Sequence, residues 1–271
     1  MGDANYILNI FDEFEGSHIF KKRYNKAKKR ASGGSQFDSK SSLAKAVVVT
    51  KNGLRFDLGN PKFKQLKLPI YDELYRTFLP YMNDEILDIV ERIDSGTGSV
   101  DLQRYYFLVG PNRHCSSQAM SLSHIVELKQ QRNAAPLYYF PDLSPRNRLD
   151  PAHLTFRCQR QMQRSPDMLL DEIKWRDAHW LIRSRHHAKV GFDPEHIGLG
   201  LENKERGFAH YAKACGTDLA LSHSRGDRRS NEFPLGMADN LPSVSNYLIE
   251  IASSYALQVI EDWEWMRGEF Q

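Results

Sequence analysis

Apolar and cationic side chains interleave most regularly between Ser165 and Ala188. At about 100° per residue, Arg176, His179, Arg183, His186 and His187 fall on one helical face and Leu170, Ile173, Leu181 and Ala188 on another. Ser165 suits an N-cap, Pro166 the first helical position, and Asp167, Asp171 and Glu172 the positive end of the dipole. The pattern predicts a helix with one buried side and one Arg/His side, closed by a left-handed cap at Gly191. Asp193-Pro194-Glu195 predicts a second helix ending at Gly216-Thr217. Gly198, Gly200 and Gly207 each cost about 1 kcal/mol there relative to Ala, so regular helix is expected from about Leu201.

Upstream, Ala46–Leu58 carries two β-favouring runs joined around Asn52-Gly53, which predicts a hairpin over 46–58. Helical periodicity runs from Pro69 to Ile93, interrupted at Pro80 and recapped at Asn83-Asp84-Glu85. Ser99–Val109 reads as a strand ended by Gly110-Pro111, Cys115–Arg132 as an amphipathic helix, and Pro136–Phe140 as a short strand. After Pro145 no strand pattern is evident, and Leu241-Pro242-Ser243 opens a terminal helix with Leu248, Ile251, Ala252, Tyr255 and Val259 on one face. These elements make an α+β protein, a mixed N-terminal half with a β-hairpin and a predominantly helical C-terminal half. The regions are 1–143, with a basic arm at 21–35, and 144–271, with the basic, His-rich face.

Composition changes this picture in two ways. The three cysteines, Cys115, Cys158 and Cys215, include no CxxC pair and no zinc-finger spacing, which predicts reduced thiols, a cytoplasmic setting and no structural metal. No apolar run reaches the ~18 residues that span a bilayer, and the acidic N-terminus lacks a signal-peptide pattern. The net charge of +3 is small but unevenly placed, with seven basic residues in ten from Lys21 to Arg30. Two basic blocks more than a hundred residues apart point to a polyanion partner. The first, beside Ala31-Ser32-Gly33-Gly34-Ser35, reads either as a mobile arm that orders on nucleic acid or as a solvated helix end.

The candidate nucleic-acid contacts are Lys21, Lys22, Arg23, Lys28, Lys29 and Arg30 in the first block, Arg176, Arg183, Arg185 and Lys189 in the second, and Arg228 and Arg229 beyond. Arginine suits phosphate because its guanidinium meets two oxygens at once. Candidate catalytic residues are His179, Arg183, His187 and Lys189. His187-x-Lys189 with Asp193, Gly200 and Asn203 resembles the phospholipase-D-type signature of phosphodiesterases, although Asp193 comes one position early. Cys115, His179 and Asp193 follow the order of papain-like cysteine proteases, and HWLIRSRHHAKVGFDP resembles the His strand of type III effector proteases. Asp101 with Glu127-Leu128-Lys129 resembles the D...ExK core of restriction-type nucleases, which implies two carboxylates on Mg²⁺ and a lysine on the attacking water. Arg146 with His153 formally meets the signature of the HEPN ribonucleases, while Arg183/His187 and Arg206/His210 are spaced more closely.

The leading expectation is a cytosolic nucleic-acid-binding protein using Arg, Lys and His phosphate contacts within a nucleic-acid-processing or defence system, without a cofactor or membrane association. A nuclease, a Cys-His-Asp hydrolase and an assembly subunit binding an acidic protein stay open as alternatives. Whether 176–203 is helix or strand separates these readings.

Overall fold

The computed structural model describes residues 18–93, 97–111, 117–164, 166–188, 191, 204–226 and 229–269. Its helices and strands alternate in an α+β arrangement. Helix α1 (His18–Arg30) and the short α2 (Phe37–Lys40) precede the hairpin of β1 (Val47–Thr50) and β2 (Gly53–Phe56). That hairpin forms where Asn-Gly predicts it. Gly53 takes φ 98°, which L side chains rarely adopt, and Thr50 Oγ1 donates to its carbonyl at 2.9 Å.

Next come β3 (Phe63–Lys64), α3 (Leu68–Phe78), β4 (Ile86–Arg92), β5 (Arg104–Val109), α4 (Ser117–Leu122), β6 (His124–Gln131), α5 (Pro136–Tyr139) and α6 (Pro151–Met162). Then follow β7 (Leu170–Trp175), β8 (Ala178–Arg185), α7 (Lys204–Ser224) and α8 (Glu232–Glu269). The sheet containing β3 to β8 has the order β3-β4-β5-β6-β8-β7, and every neighbouring pair is antiparallel.

Both faces of this sheet are covered. Phe56, Phe63, Val90, Tyr106, Leu108 and Ile125 pack with Phe37, Leu43 and Leu54 on one side. Phe107, Val126, Leu128, Trp175, Trp180 and Ile182 pack with Leu74 and Phe78 of α3 on the other. Strands buried on two faces lose the polar/apolar alternation of a half-exposed strand, and this explains several departures from the expected elements. Within the expected 115–132 helix, the described residues form α4 and then β6, and the second half of the expected 69–93 helix is β4. Residues 136–139 of the expected 136–140 strand are helical, with Pro136 in the first turn of α5.

The largest correction falls on the helix expected after Ser165, because residues 170–185 form the β7–β8 hairpin. Its turn is Arg176-Asp177, both left-handed at φ 49° and 56°. Trp180 is 1% exposed and donates its indole N–H to the Trp175 carbonyl at 2.9 Å, and the two indoles pack at 5.3 Å across the hairpin. Because β6 pairs with β8, strands from both sides of residue 143 share one sheet. The chain divides into compact units Met1–Asp218 and Leu219–Gln271. Helix α7 runs on through Gly216-Thr217, and α8 begins at Glu232 and continues through Pro242. No helix among the described residues is long and apolar enough to cross a membrane.

Candidate nucleic-acid interface

The basic block 21–30 is helical. Phe20, 8% exposed, anchors α1 in the protein, while Lys21, Lys22, Lys26, Lys28 and Lys29 are exposed. The glycine-containing segment after it folds back on the helix end, with Gln36 N donating to the Lys29 carbonyl at 2.8 Å. This is an ordered element and not a free arm. Lys21, Lys22, Asn25, Lys26, Lys29 and Gln36 line a groove of about 540 Å³, and no carboxylate is among them. Arg30 is the main cause holding the Lys26 amine below its usual range, with burial and then Arg23, Lys45 and Lys40 adding to it. Crowded like charges of this kind are relieved by an arriving anion. The Nε of Arg30 itself is buried without a hydrogen-bond partner.

A second cationic cluster lies on the sheet. The register sets Tyr106 and Arg183 on either side of Glu127, and Arg104 beside Lys129, so all project from one face. The Glu127 side chain is completely buried. Its Oε2 accepts from Nε and Nη2 of Arg183, each at 2.7 Å, and its Oε1 meets Arg185 at 3.1 Å and Arg104 at 3.3 Å. Burial alone would push this carboxyl up, but Arg183, Arg185 and Arg104 together hold it below the ordinary carboxylate value. Arg185 also donates to the Tyr106 hydroxyl and stacks over its ring at 4.9 Å. Arg104 donates to Ser99 Oγ at 3.0 Å while its Nε is buried without a partner.

A family model described as an uncharacterized protein conserved in bacteria (DUF2252) matches residues 72–268. The chain belongs to the DUF2252 family. No curated protein and no solved structure matches it. The Glu127 cluster lies inside the DUF2252 stretch, whereas the α1 groove precedes it.

The hairpin disperses the expected helical face. Arg183 and Arg185 stay together, two residues apart on β8, but they are drawn onto Glu127. Arg176 sits at the far turn, where its Nε donates to Glu73 at 2.8 Å and its guanidinium lies over the Trp175 ring at 4.8 Å. His179 is 3.2 Å from Asp150. His187 packs edge-on against Phe37 at 5.4 Å, and burial, with His186 and His124 adding to it, pushes its imidazole down to about 4. It is therefore neutral near pH 7 and supplies no phosphate-binding charge. Lys189, Asp193, Gly200, Asn203, Cys115 and Arg228 lie outside the described residues, so of the phospholipase-D-like set only His187 is described, and of the Cys-His-Asp set only His179. Arg229 is exposed after α7.

Of the D...ExK residues, Glu127 and Lys129 share strand β6, where a helix was expected, whereas Asp101 lies in the turn before β5. Both Glu127 oxygens are nonetheless engaged by guanidiniums, and no group of three metal-ligating side chains occurs among the described residues. His153 is paired with Glu172, while Arg146 lies in a separate turn. Sequence reasoning missed Arg104 and, although it marked the 21–30 block, did not single out Lys26 within it. A usable signal for the cluster was a carboxylate inside the apolar run Ile125-Val126-Glu127-Leu128, because a charge buried in such a run has to be paired.

Proposed function

We propose that this DUF2252 protein binds nucleic acid through the lysine-lined groove of α1. The supporting observation is the set of Lys21, Lys22, Lys26 and Lys29 around one groove without a carboxylate, crowded enough that neighbouring cations disfavour the charge on Lys26. Arg23, Lys28 and Arg30 extend the positive surface along the same helix. A phosphodiester backbone meets this arrangement by exchanging condensed counterions for ammonium groups, which gives affinity without sequence preference. A cytoplasmic location is part of the reading and accords with free, exposed Cys158 and Cys215.

The test is fluorescence anisotropy with labelled single-stranded RNA, single-stranded DNA and duplex DNA across a NaCl series. Expected is affinity that falls steeply with salt, and a Lys22→Ala/Lys26→Ala/Lys29→Ala variant whose log–log slope is shallower by about two to three. Binding insensitive to salt, or a variant that binds like the unmodified chain, sinks the proposal. The three probes separate RNA from DNA and single strand from duplex.

A further inference from the structure

The Glu127 cluster holds more positive charge than its own carboxylate can balance. Arg104, Lys129, Arg183 and Arg185 face one another around Glu127. Three of the four are bonded to the carboxylate and the fourth, Lys129, has its ammonium disfavoured, first by burial and then by Arg104, with Arg183 and Arg132 adding to it and Glu127 opposing. Beside Lys129 a groove of about 410 Å³ opens, lined among others by Gly98, Gln131, Arg132, Asn133 and Tyr138 and by no carboxylate. The size suits a small molecule. Arg104, directly across the β5–β6 ladder from Lys129, keeps a buried Nε with no hydrogen-bond partner. A buried guanidinium N–H left unbonded is costly and marks a place where an acceptor is wanted.

We propose that this groove is a binding site for the phosphate groups of a small phosphorylated ligand, with Lys129 and Arg132 contacting the phosphates and Arg104 supplying charge from behind. Lysine acts as a point charge on phosphate and arginine as a planar fork. Glu127 keeps the arginines in register and prevents them from repelling one another before the ligand arrives. Tyr138, 69% exposed at the rim, offers a ring face to a nucleobase if the ligand carries one. The site is separate from the α1 groove and does not depend on nucleic-acid binding there.

Isothermal titration and thermal melting of the full chain test this, with pyrophosphate and ATP as probes and NaCl of matched ionic strength as control. Expected is a rise in melting temperature with each probe beyond the NaCl control. Arg132→Glu, an exposed change that leaves the core untouched, should weaken both probes at least tenfold, as should Lys129→Ala. The triple α1 variant should keep unmodified affinity for both, while Arg132→Glu should keep polynucleotide binding. ATP binding more tightly than pyrophosphate, with the difference lost in Tyr138→Ala, identifies a nucleotide; equal affinities identify a bare phosphate site. No stabilisation of the unmodified chain, unchanged binding by Arg132→Glu, or loss of pyrophosphate binding in the α1 variant overturns the proposal.

Discussion

Arg183 delivers both Nε and Nη2 to one oxygen of Glu127, each at 2.7 Å, from the residue directly opposite it in the β6–β8 ladder. The geometry leaves Oε1 to Arg185 and Arg104, so one buried carboxylate ties β5, β6 and β8 together. Removing it strands three guanidiniums that are largely out of water. Glu127→Gln should therefore destabilise the fold by about 3–5 kcal/mol, the usual cost of breaking a buried ion pair from one side. Urea denaturation measures it. A midpoint within experimental error of the unmodified chain would mean that the three arginines do not rely on this partner.

Three groups make stability depend on acid, in two windows. His187 has an ordinary value of 6.5 in the unfolded chain and about 4 when folded, so only the unfolded chain takes up the proton between them. The stability it contributes is complete above pH 6.5 and is lost as pH falls through about 4. His124, also lowered by burial, acts in the same direction. Glu127 is likewise held below its ordinary 4.5, and its contribution is complete above that value and lost at lower pH. Melting curves from pH 7 to pH 3 should show a decline beginning near 6.5 and continuing below 4.5. His187→Phe should flatten the upper part of the decline and leave the lower part. An unchanged upper limb would mean that His187 titrates normally.

What could be read from the residues depended on whether the deciding signal was local. The β1–β2 hairpin was legible because Asn52-Gly53 carries its own turn chemistry. The β7–β8 hairpin was not, because its left-handed turn residues are Arg176 and Asp177, neither of them glycine, while Ser165-Pro166 upstream offers convincing helix-start grammar. Strand β6 was hidden for another reason. Ile125, Val126 and Leu128 are all buried because both faces of the sheet are covered, and a continuous apolar run fits a helix as well as a central strand. The α1 lysines were legible by composition alone. Their convergence on one groove was not, since it depends on the chain turning back at Gly34.

That turn can be tested. A Cβ on Gly34 would stand 2.5 Å from the carbonyl oxygens of both Lys28 and Lys29, backbone atoms that cannot swing aside. Gly34→Ala should therefore push the 31–36 segment off the end of α1 and break the Gln36–Lys29 hydrogen bond. Amide exchange over residues 28–37 should accelerate, and polynucleotide affinity should fall although no charge is lost. Unaltered exchange there would show that the segment can close without the glycine.

Arg176 and Lys26 give opposite expectations for polyanion binding, although both are exposed cations in basic stretches. The Arg176 guanidinium is already committed, to Glu73 of α3 through Nε and Nη2 and to the Trp175 ring beneath it. The hydrogen bond to Glu73 raises the Arg176 pKa further, and the same carboxylate accepts from the Trp175 indole at 3.0 Å. To contact phosphate, Arg176 would have to abandon these partners and would gain only a replacement. Lys26 has the reverse balance, because its neighbours are cations and an arriving phosphate relieves their repulsion. Arg176→Ala should leave polynucleotide affinity and its salt slope unchanged, whereas Lys26→Ala should lower affinity and reduce the slope by about one. Equal effects of the two changes would mean that binding follows total charge and that the α1 groove has no special part in it.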